Sequence, residues 1–251
     1  MTPLFDSLLF FDDAEPHRAA LNMAIDEILL RCANDDSRAF RDSLESKNFA
    51  AQPILRVYRW SAPAVSIGYF EKCEPVKNAW PQRELVRRWT GGGVVLHGED
   101  WAYSLLVPAN CARGENFNFA KNEKANAAEM YRAIHAIIAH ALLEREICVA
   151  EIADENRAKI SQAYFENAVR HDVVQRDGKK IAGAAQRRSR FGLLHQGSIQ
   201  NVNLPRTFGD DLAARLANRV ERISEIDPAQ LEAAAKLSSE KYASREWMTK
   251  F

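Results

Sequence analysis

Cysteine is scarce in this sequence, and the few cysteines that are present lie far apart. Four occur in 251 residues, and no two of them form a C-x-x-C pair. They are Cys32, Cys73, Cys111 and Cys148. Structural zinc sites and disulfide frameworks both need cysteines at short, regular spacings. The spacing therefore predicts a reduced protein with neither, and the histidines and cysteines together indicate no protein-bound transition metal.

Long apolar runs are also missing. A short apolar LLFF lies near the N-terminus, but no basic residues precede it and the acidic DDAE follows at once. A signal peptide begins with a basic region, and a membrane span needs about 20 apolar residues. We therefore expect a cytoplasmic protein that has no membrane partner.

The chain carries no excess of either charge. Lysine plus arginine and aspartate plus glutamate number 34 each. A balanced chain has no overall field that would recruit nucleic acid, so any basic site must be local. Two local basic segments are present, Arg87-Arg88 and residues 179–190.

Hydrophobic patterning predicts an α+β fold. Alternating or β-branched runs indicate strands at 53–60, 62–70, 84–89, 93–98, 101–108, 147–152, 171–188 and 192–204, and helical spacing indicates helices at 20–33, 121–146, 209–221 and 228–243. Tight turns such as Arg176-Asp177-Gly178 join strands more often than crossover helices do. This favours a mixed, largely antiparallel central sheet flanked by helices. At 251 residues we expect one catalytic domain over 1–251 with no accessory C-terminal domain.

Two of the predicted helices have clear faces. In the helix at 20–33, the apolar residues share one side and Asp26 and Glu27 are placed on the other. In the helix at 121–146, one face collects Ala128, Tyr131, Ile134, Ile138, Ala141 and Leu142. The polar stretch 34–52 is expected to be a loop.

Three adjacent glycines, Gly91 to Gly93, interrupt the segment RRWTGGGVVLHGED. A P-loop needs Lys-Ser or Lys-Thr after the glycines, and a dinucleotide fingerprint needs a helix there; neither is present. A strand–glycine loop–strand element remains, in which bare N–H groups lie open to a flat or phosphorylated ligand. Strand alternation allows only one of Arg87 and Arg88 to point at the loop. The alternative is a flexible hairpin with two solvated arginines.

The second basic segment, DGKKIAGAAQRR, pairs a lysine with a small residue. Lys179 and Lys180 point to opposite sides of the predicted strand, and Gly183 clears space beside Lys180. A lysine held in a partly apolar setting can act as a fixed positive charge on a carbonyl or phosphate oxygen. The alternative is that both lysines are solvated hairpin residues.

Several segments together resemble one protein family. RRWTGGGVVLH, GKKIAGAAQRR and LLHQGSI are similar to motifs of the lipoate–protein ligase and octanoyltransferase family, whose catalytic domain is related to that of biotin protein ligase. NMAIDEILL, RWSAPAVSIGYFE and SEKYASREW also resemble it, so that the likeness runs from about residue 18 to the C-terminus. The resemblance implies a mixed sheet, one acyl pocket, and attachment of lipoate or octanoate to a lysine of a lipoyl-carrier domain. A biotin ligase is not favoured, because its glycine loop has Gly-Arg-Gly character.

The resemblance also implies the site residues. Lys180 matches the lysine that contacts the acyl carbonyl and the adenylate phosphate, and is the expected catalytic residue. The expected substrate- and nucleotide-binding residues are Arg88, Thr90, Gly91, Gly92, Gly93, Val94, Val95, Leu96, His97, Gly183, Ala185, His195 and Gly197. No protein ligand for a metal is assigned. Glu99 or Asp100 would be the candidates for holding magnesium, with an exposed acidic turn as the alternative.

The family uses two chemistries, and they differ in the need for a cysteine. Ligases activate the free acid with ATP and Mg²⁺ as an acyl-adenylate, whereas octanoyltransferases carry octanoate on a thiolate and need no cofactor. At one transferase position this chain has Tyr164, and at the other, within RSRFGLLH, it has no cysteine. Cys73 and Cys111 are the remaining candidates near a pocket.

The missing thiol favours an ATP-dependent lipoate–protein ligase. One alternative is an octanoyltransferase, because the segments HGEDWAYSLLVP and LLHQGSI are more similar to that branch of the family. The other is a non-catalytic acyl-binding relative. The expected partners are lipoate or octanoate and a lipoyl-carrier domain or glycine-cleavage H-protein-like acceptor. Acyl-carrier protein or a separate accessory chain are further candidates.

Overall fold

The structure is a computed structural model that describes residues 2–33, 52–111, 123–154 and 167–251, with side chains from residue 127 onward in the third range. Tyr164 lies outside these ranges, and so does the predicted loop at 34–52 except for its last residue. Within the described ranges, no helix combines the length and the apolarity that crossing a bilayer requires.

An eight-stranded sheet forms the centre of the fold. Its strands are β1 (Phe5–His17), β2 (Ile54–Trp60), β6 (Trp101–Pro108), β7 (Ala150–Ile152), β8 (Val173–Gln175), β9 (Lys180–Ser189), β10 (Gly192–Ile199) and β11 (Ala217–Ile223). They lie in the order β11-β1-β2-β6-β10-β9-β8-β7. Pairing is parallel from β11 through β1 to β2 and antiparallel across the rest. The predicted α+β class with a mixed, largely antiparallel sheet is confirmed.

A second, smaller sheet lies beside the first. It consists of β3 (Ala64–Ile67), β4 (Glu84–Arg87) and β5 (Val95–His97), with β3 in the middle. β3 is parallel to β4 and antiparallel to β5. The three glycines fall in the connection between β4 and β5, so the strand–glycine loop–strand prediction is confirmed.

Helices cover both faces of the central sheet. The helices of the described residues are α1 (Ala19–Ala33), α2 (Cys73–Ala79), α3 (Glu123–Glu144), α4 (Phe208–Leu216), α5 (Pro228–Leu237) and α6 (Arg245–Met248), and a π-helical turn (Ser238–Tyr242) follows α5. α2 packs against the small sheet rather than the central one. α3 and α4 pack on one face with Tyr103 and Leu105, while α1 and α5 pack on the other with Ala102 and Leu106. Because β6 buries both of its faces, WAYSLLVP is an almost continuous apolar run rather than an alternating one.

The polar face assigned to α1 is wrong. Asp26 and Glu27 are both fully buried rather than solvated. Asp26 accepts hydrogen bonds from Arg56 Nη1 at 2.8 Å and from Ser104 Oγ at 2.5 Å. Glu27 lies against the C-terminal segment. A helix that packs between a sheet and a second layer has no solvent face at these positions, so its carboxylates are buried with partners.

One element prediction near the C-terminus also differs from the structure. The stretch 217–221, predicted as the end of a helix, is the start of edge strand β11, which lies beside the 13-residue strand β1 around LLFF, a segment for which no element was predicted. Their parallel pairing is a long-range contact that local periodicity does not record. In α3, Ile134, Ile138 and the other late members of the predicted face are buried, but Ala128 is exposed.

Candidate active site

One pocket lies between the two sheets, where β2, β9 and β10 face β3, β5 and the glycine loop (residues 90–93). Its lining residues are Met23, Tyr58, Trp60, Ser66, Arg88, Gly92, Val95, His97, Lys180, Gly183, Ala184, Ala185, Gln196, Gly197 and Ser198. Most of the lining is apolar or bare main chain, and a few polar groups converge on it. We refer to it as the central pocket. This composition suits a ligand with an apolar body and one polar end.

Among the described residues, Lys180 is one of two cationic side chains that line this pocket. Its side chain is 3% exposed, and Nζ lies 2.8 Å from Asp172 Oδ2. Burial lowers the pKa of Lys180 below its ordinary value, and the Asp172 carboxylate opposes that shift. Lys179, its neighbour, is exposed, so the predicted opposite orientation of the two lysines is confirmed.

Gly183 has no side chain because Lys180 occupies the space. A Cβ at Gly183 would lie 2.2 Å from Lys180 Cε and 2.5 Å from Nζ. Both distances are far below van der Waals contact, so the expectation that Gly183 clears room beside Lys180 is confirmed.

Asp172 is itself held by a side chain of α3 and by a backbone N–H of its own segment. The Tyr131 hydroxyl donates to Oδ1 at 2.5 Å, and the Val169 N–H donates to Oδ2 at 2.8 Å. Burial and the nearby Asp172 charge raise the pKa of Tyr131 well above its ordinary value, so the phenol stays a donor. Tyr131 and Asp172 together fix the position of Lys180, and this arrangement was not predicted from the sequence. The signal was HDVV, in which a lone aspartate precedes an apolar strand.

The two arginines before the glycine loop point in opposite directions, as predicted. Arg88 Nη2 donates to the carbonyls of Gly91 and Gly93 at 3.0 and 2.8 Å, and Nη1 donates to Ser66 O at 2.9 Å. Gly92 has φ +79°, a conformation that favours glycine. Arg88 therefore shapes the loop from within.

Arg87 ties the outer side of the same region to the C-terminal segment. Its Nη1 donates to the carbonyls of Gly68, Tyr69 and Glu71. Its Nε and Nη2 donate to the carbonyls of residues 247 and 248 at 3.0 and 2.7 Å. A Cβ at Gly68 would lie 1.7 Å from Gly92 O, so the two loops are in direct backbone contact.

Thr90 and Gln196 connect the glycine loop to α1. The Thr90 hydroxyl donates to Gln196 Oε1 at 2.9 Å, and Gln196 Nε2 donates to Asp26 Oδ2 at 2.8 Å. Since all three side chains are buried, this chain of bonds fixes the loop against the sheet. It also explains why an acidic residue occurs within NMAIDEILL.

His97 lies on the opposite wall from Lys180 and makes two short hydrogen bonds. Its Nδ1 is 2.7 Å from Asp100 Oδ2, and its Nε2 is 2.6 Å from Ser66 Oγ. The Trp60 ring stacks on the imidazole with centroids 4.1 Å apart. Ser66, from β3, thus joins His97 and Asp100, which are three residues apart, in one hydrogen-bonded row.

Asp100 is not part of an exposed acidic turn. Its side chain is 2% exposed and also accepts from Ser198 Oγ at 2.7 Å and Gly98 N at 3.1 Å. Although burial alone would raise the pKa of Asp100, His97 and these donors hold it below its ordinary value. Glu99 remains exposed. The carboxylate of Asp100 is therefore committed to His97 and does not fit a magnesium ligand.

The structure brings eight of the predicted site residues into the pocket lining and leaves six outside it. The eight are Arg88, Gly92, Val95, His97, Lys180, Gly183, Ala185 and Gly197. Thr90, Gly91 and Gly93 belong to the loop behind it. Val94 packs into the apolar core of the small sheet, and Leu96 packs against that core and borders a neighbouring surface depression.

His195 lies beneath the pocket floor instead of in it. It is fully buried, 3.2 Å from the Tyr103 hydroxyl and 3.0 Å from Gln186 Nε2. Burial lowers its pKa well below the ordinary value, so the ring is neutral. Its role is to support β10, whose Gly197 is bare because a Cβ there would lie 2.3 Å from the Tyr103 ring.

Sequence reasoning missed seven residues of the lining. They are Met23, Tyr58, Trp60, Ser66, Ala184, Gln196 and Ser198. Most fall inside the quoted motifs, and alternation along RWSAPAVSIGYFE and LLHQGSI would have placed several on the pocket side. The alternation does not show which face of the central sheet packs against the small sheet.

No cysteine of the described residues lines the central pocket. Cys73 is buried with Val65 and Ile67 in the small sheet's core, away from it. Burial raises the pKa of Cys111 to about 11, and burial also raises that of Cys148. Cys148, predicted as strand core, is half-buried and precedes β7. These are poor thiolates at neutral pH.

The architecture is similar to that of solved lipoate-protein ligases. A lipoate-protein ligase A bound with ATP superposes with a TM-score of 0.61, at 19% identity over 98% of each chain. The bi-partite lipoate protein ligase of Thermoplasma acidophilum superposes with a TM-score of 0.55, at 19% identity over 99% of this chain and 97% of that one. At these identities the similarity concerns the fold.

Residues 18–235 match the lipoyl protein ligase A/B catalytic domain, and the chain belongs to that family. It is 32% identical over 201 residues to the octanoyltransferase LipM of Oceanobacillus iheyensis, covering 75% of this chain and 62% of that one. It is 31% identical to the octanoyltransferase LipM of Staphylococcus aureus, covering 74% and 64%. The chain thus spans a little under two thirds of the length of these relatives. The resemblance seen in the sequence is confirmed.

Proposed function

We propose that this chain transfers an octanoyl group from a thioester of acyl-carrier protein to a lysine of a lipoyl-carrier domain. The relatives named octanoyltransferase LipM support this reaction over the ATP-dependent ligase that the missing cysteine favours. No cofactor is needed, because the thioester is already activated.

The observation that carries the proposal is a buried lysine in the lining of a largely apolar pocket. The apolar walls suit the acyl chain, and Lys180 Nζ is the charge available to the acyl carbonyl oxygen. Negative charge develops on that oxygen when a nucleophile attacks, so a fixed ammonium stabilises the transition state more than the ground state. The bare main chain at Gly92 allows the acyl head group to approach closely.

A ligase is the second candidate, and the lack of a thiol favours it. No described cysteine reaches the pocket, and Tyr164 stands where one transferase branch has its nucleophile. In this case Lys180 and the open main chain of the glycine loop would receive the phosphate of an acyl-adenylate. Within the part of the chain that the structure describes, no aspartate or glutamate lines the pocket, so no step is assigned to magnesium.

A single assay separates the two. Purified protein is incubated with a lipoyl domain and octanoyl-acyl-carrier protein in one tube, and with octanoate, ATP and Mg²⁺ in another. The mass of the intact lipoyl domain is then measured. A gain of one octanoyl group in the first tube alone supports the transferase, and a gain in the second alone assigns the ligase. With neither donor active and octanoate still bound, the chain would be a non-catalytic acyl-binding relative.

Three further expectations belong to this proposal. We infer a single catalytic domain, a cytoplasmic location, and a lipoyl domain or glycine-cleavage H-protein-like acceptor. The T. acidophilum relative of the fold is described as bi-partite and as acting with an E2 lipoyl domain. A separate accessory chain therefore remains a candidate here, and adding one to the assay tests it.

A further inference from the structure

We propose that Ser66 is the acyl-carrying nucleophile of this chain, with His97 as its general base and Asp100 as the group that orients the base. The inference rests on the proposed transferase function and supplies the nucleophile that it otherwise lacks. The product of the first half-reaction is an octanoyl ester on Ser66 Oγ.

The geometry is that of a nucleophile, a base and an orienting carboxylate. Ser66 Oγ is 2.6 Å from His97 Nε2, and His97 Nδ1 is 2.7 Å from Asp100 Oδ2. All three side chains are nearly inaccessible to solvent. A serine hydroxyl is a weak nucleophile by itself, and a hydrogen-bonded imidazole that is held by a buried carboxylate is the arrangement that activates it.

The hydrogen bonds fix the tautomer that this role requires. Asp100 is an acceptor, so His97 Nδ1 carries the proton and Nε2 is left as the base. Arg88 Nη1 donates to Ser66 Oγ at 2.6 Å, so the hydroxyl hydrogen is directed to His97 rather than to another acceptor. One lone pair of Oγ has no partner among the described residues. The guanidinium also stabilises negative charge on Oγ as the proton leaves.

The row of three opens onto the same pocket as Lys180. Ser66 and His97 both line it, together with Gly92 and Lys180. Ser66 sits in the central strand of the small sheet, paired with Val86 on one side and Val95 on the other, so its position is rigid. Trp60 covers the outer face of the imidazole. A carbonyl carbon between Ser66 and Lys180 would have its nucleophile and its oxyanion partner on opposite sides.

The two half-reactions balance. Ser66 Oγ attacks the thioester carbonyl carbon while its proton passes to His97 Nε2; the carbon–sulfur bond breaks, and the carrier thiolate leaves with that proton. The octanoyl group is then an ester on Ser66. The amine of the acceptor lysine attacks the ester carbon and gives one proton to His97. The carbon–oxygen bond breaks, Ser66 Oγ takes the proton back, and an amide remains.

A purely structural network makes different predictions. If Ser66 only supported Arg88 and the glycine loop, no covalent adduct would form at position 66. That would hold both for the wild-type protein and for a variant with a different nucleophile there. The serine-to-cysteine change therefore distinguishes the two roles, because a thiol keeps the size of the side chain and forms a thioester in place of the ester.

The test traps the intermediate. The protein is incubated with octanoyl-acyl-carrier protein without acceptor, quenched in acid, and measured by intact mass and peptide mapping. We expect one octanoyl group on Ser66, none in Ser66→Ala, and a thioester that neutral hydroxylamine cleaves in Ser66→Cys. Tyr164→Phe should retain the Ser66 adduct. With acceptor present, Ser66→Ala should lower transfer by roughly a hundredfold or more.

The outcomes separate the inference from the function it rests on. Octanoyl transfer at an undiminished rate in Ser66→Ala, or an adduct mapped to Tyr164 or to a cysteine, overturns the role of Ser66 and leaves the transferase intact. No octanoylated lipoyl domain from the thioester in wild-type protein overturns the transferase itself. Circular dichroism of each variant checks folding, and the Ser66→Cys adduct is a positive result that an unfolded protein does not give.

Discussion

Lys180 Nζ lies 2.8 Å from Asp172 Oδ2, and both side chains are almost completely buried. The carboxylate keeps the ammonium in place inside an apolar pocket, while Tyr131 and the Val169 N–H keep the carboxylate in place. A buried ion pair contributes little to stability by itself, but removal of one partner leaves a costly unpaired charge. The pair is therefore best understood as a way of presenting a positive charge to a substrate.

Removal of the lysine should disable the chemistry more than the fold. In Lys180→Ala the acyl carbonyl loses its positive partner, and we expect the barrier to rise by about 2.7–4 kcal/mol, as when one oxyanion donor is lost. kcat/KM for octanoyl transfer, measured with a lipoyl domain as acceptor, gives the value. A variant with an unchanged kcat/KM would show that the pocket lysine takes no part.

The Asp172–Lys180 pair predicts a particular pH dependence. Since burial lowers the pKa of Lys180 below 10.5 and Asp172 opposes this, transfer should decline as pH rises through that lowered pKa. Asp172→Asn removes the favourable charge, so the alkaline limb of the pH–rate profile should move to lower pH. A limb that stays in place would mean that Asp172 does not control the lysine.

The free energy of unfolding should change with pH in the opposite direction to the transfer rate. Between the lowered pKa and the ordinary 10.5, the unfolded chain binds more protons at Lys180 than the folded chain does. The free energy of unfolding from this group therefore rises with pH in that window.

Asp172→Asn should lower the free energy of unfolding by about 3–5 kcal/mol near neutral pH, because the buried lysine is left unpaired. Urea unfolding of the variant and the wild-type protein measures this difference.

Gly183 should tolerate no side chain. In Gly183→Ala the new Cβ would overlap Lys180 Cε, so the lysine must swing away from the pocket and transfer should decline by roughly a hundredfold. Gly91→Ala is the matched comparison, because a Cβ there meets no atom within 4 Å. Equal losses in the two variants would contradict the steric argument.

Glu27 should anchor the C-terminal segment. Its Oε2 accepts from the Tyr242 hydroxyl at 2.5 Å and from Lys241 Nζ at 2.6 Å, and the carboxylate is fully buried. Tyr242→Phe removes one charge-assisted hydrogen bond and should lower the free energy of unfolding by about 1.5–3 kcal/mol. Tyr69→Phe, which changes a half-buried tyrosine whose hydroxyl bonds to Lys250 rather than to a buried carboxylate, should have a far smaller effect. Similar losses would mean that Glu27 is satisfied without Tyr242.

Some of this could be predicted from the sequence because the information is local. WAYSLLVP is a continuous apolar run and forms the central strand β6. Lys180 and Gly183 are also close in the chain, although regular alternation would place them on opposite faces, and the pairing of β8 with β9 shifts register at this point. The opposite orientations of Arg87 and Arg88 follow from the same alternation. In each case the neighbours that decide the outcome are close in the chain.

The rest depends on contacts between distant segments. Asp26 has the pattern of a solvated helix residue, and only the arrival of Arg56 and Ser104 on β2 and β6 makes its burial favourable. Ser66, His97 and Asp100 meet because a small sheet pairs β3 with β5. A single sequence shows which residues are present but not which distant residues come into contact.

The mass of the lipoyl domain after incubation with octanoyl-acyl-carrier protein, in the absence of ATP, tests the central claim most directly. Wild-type protein should add one octanoyl group to one lysine of the acceptor, and Lys180→Ala should do so far more slowly. An acceptor whose mass does not change, or one that gains octanoate equally fast with either enzyme, would contradict the account.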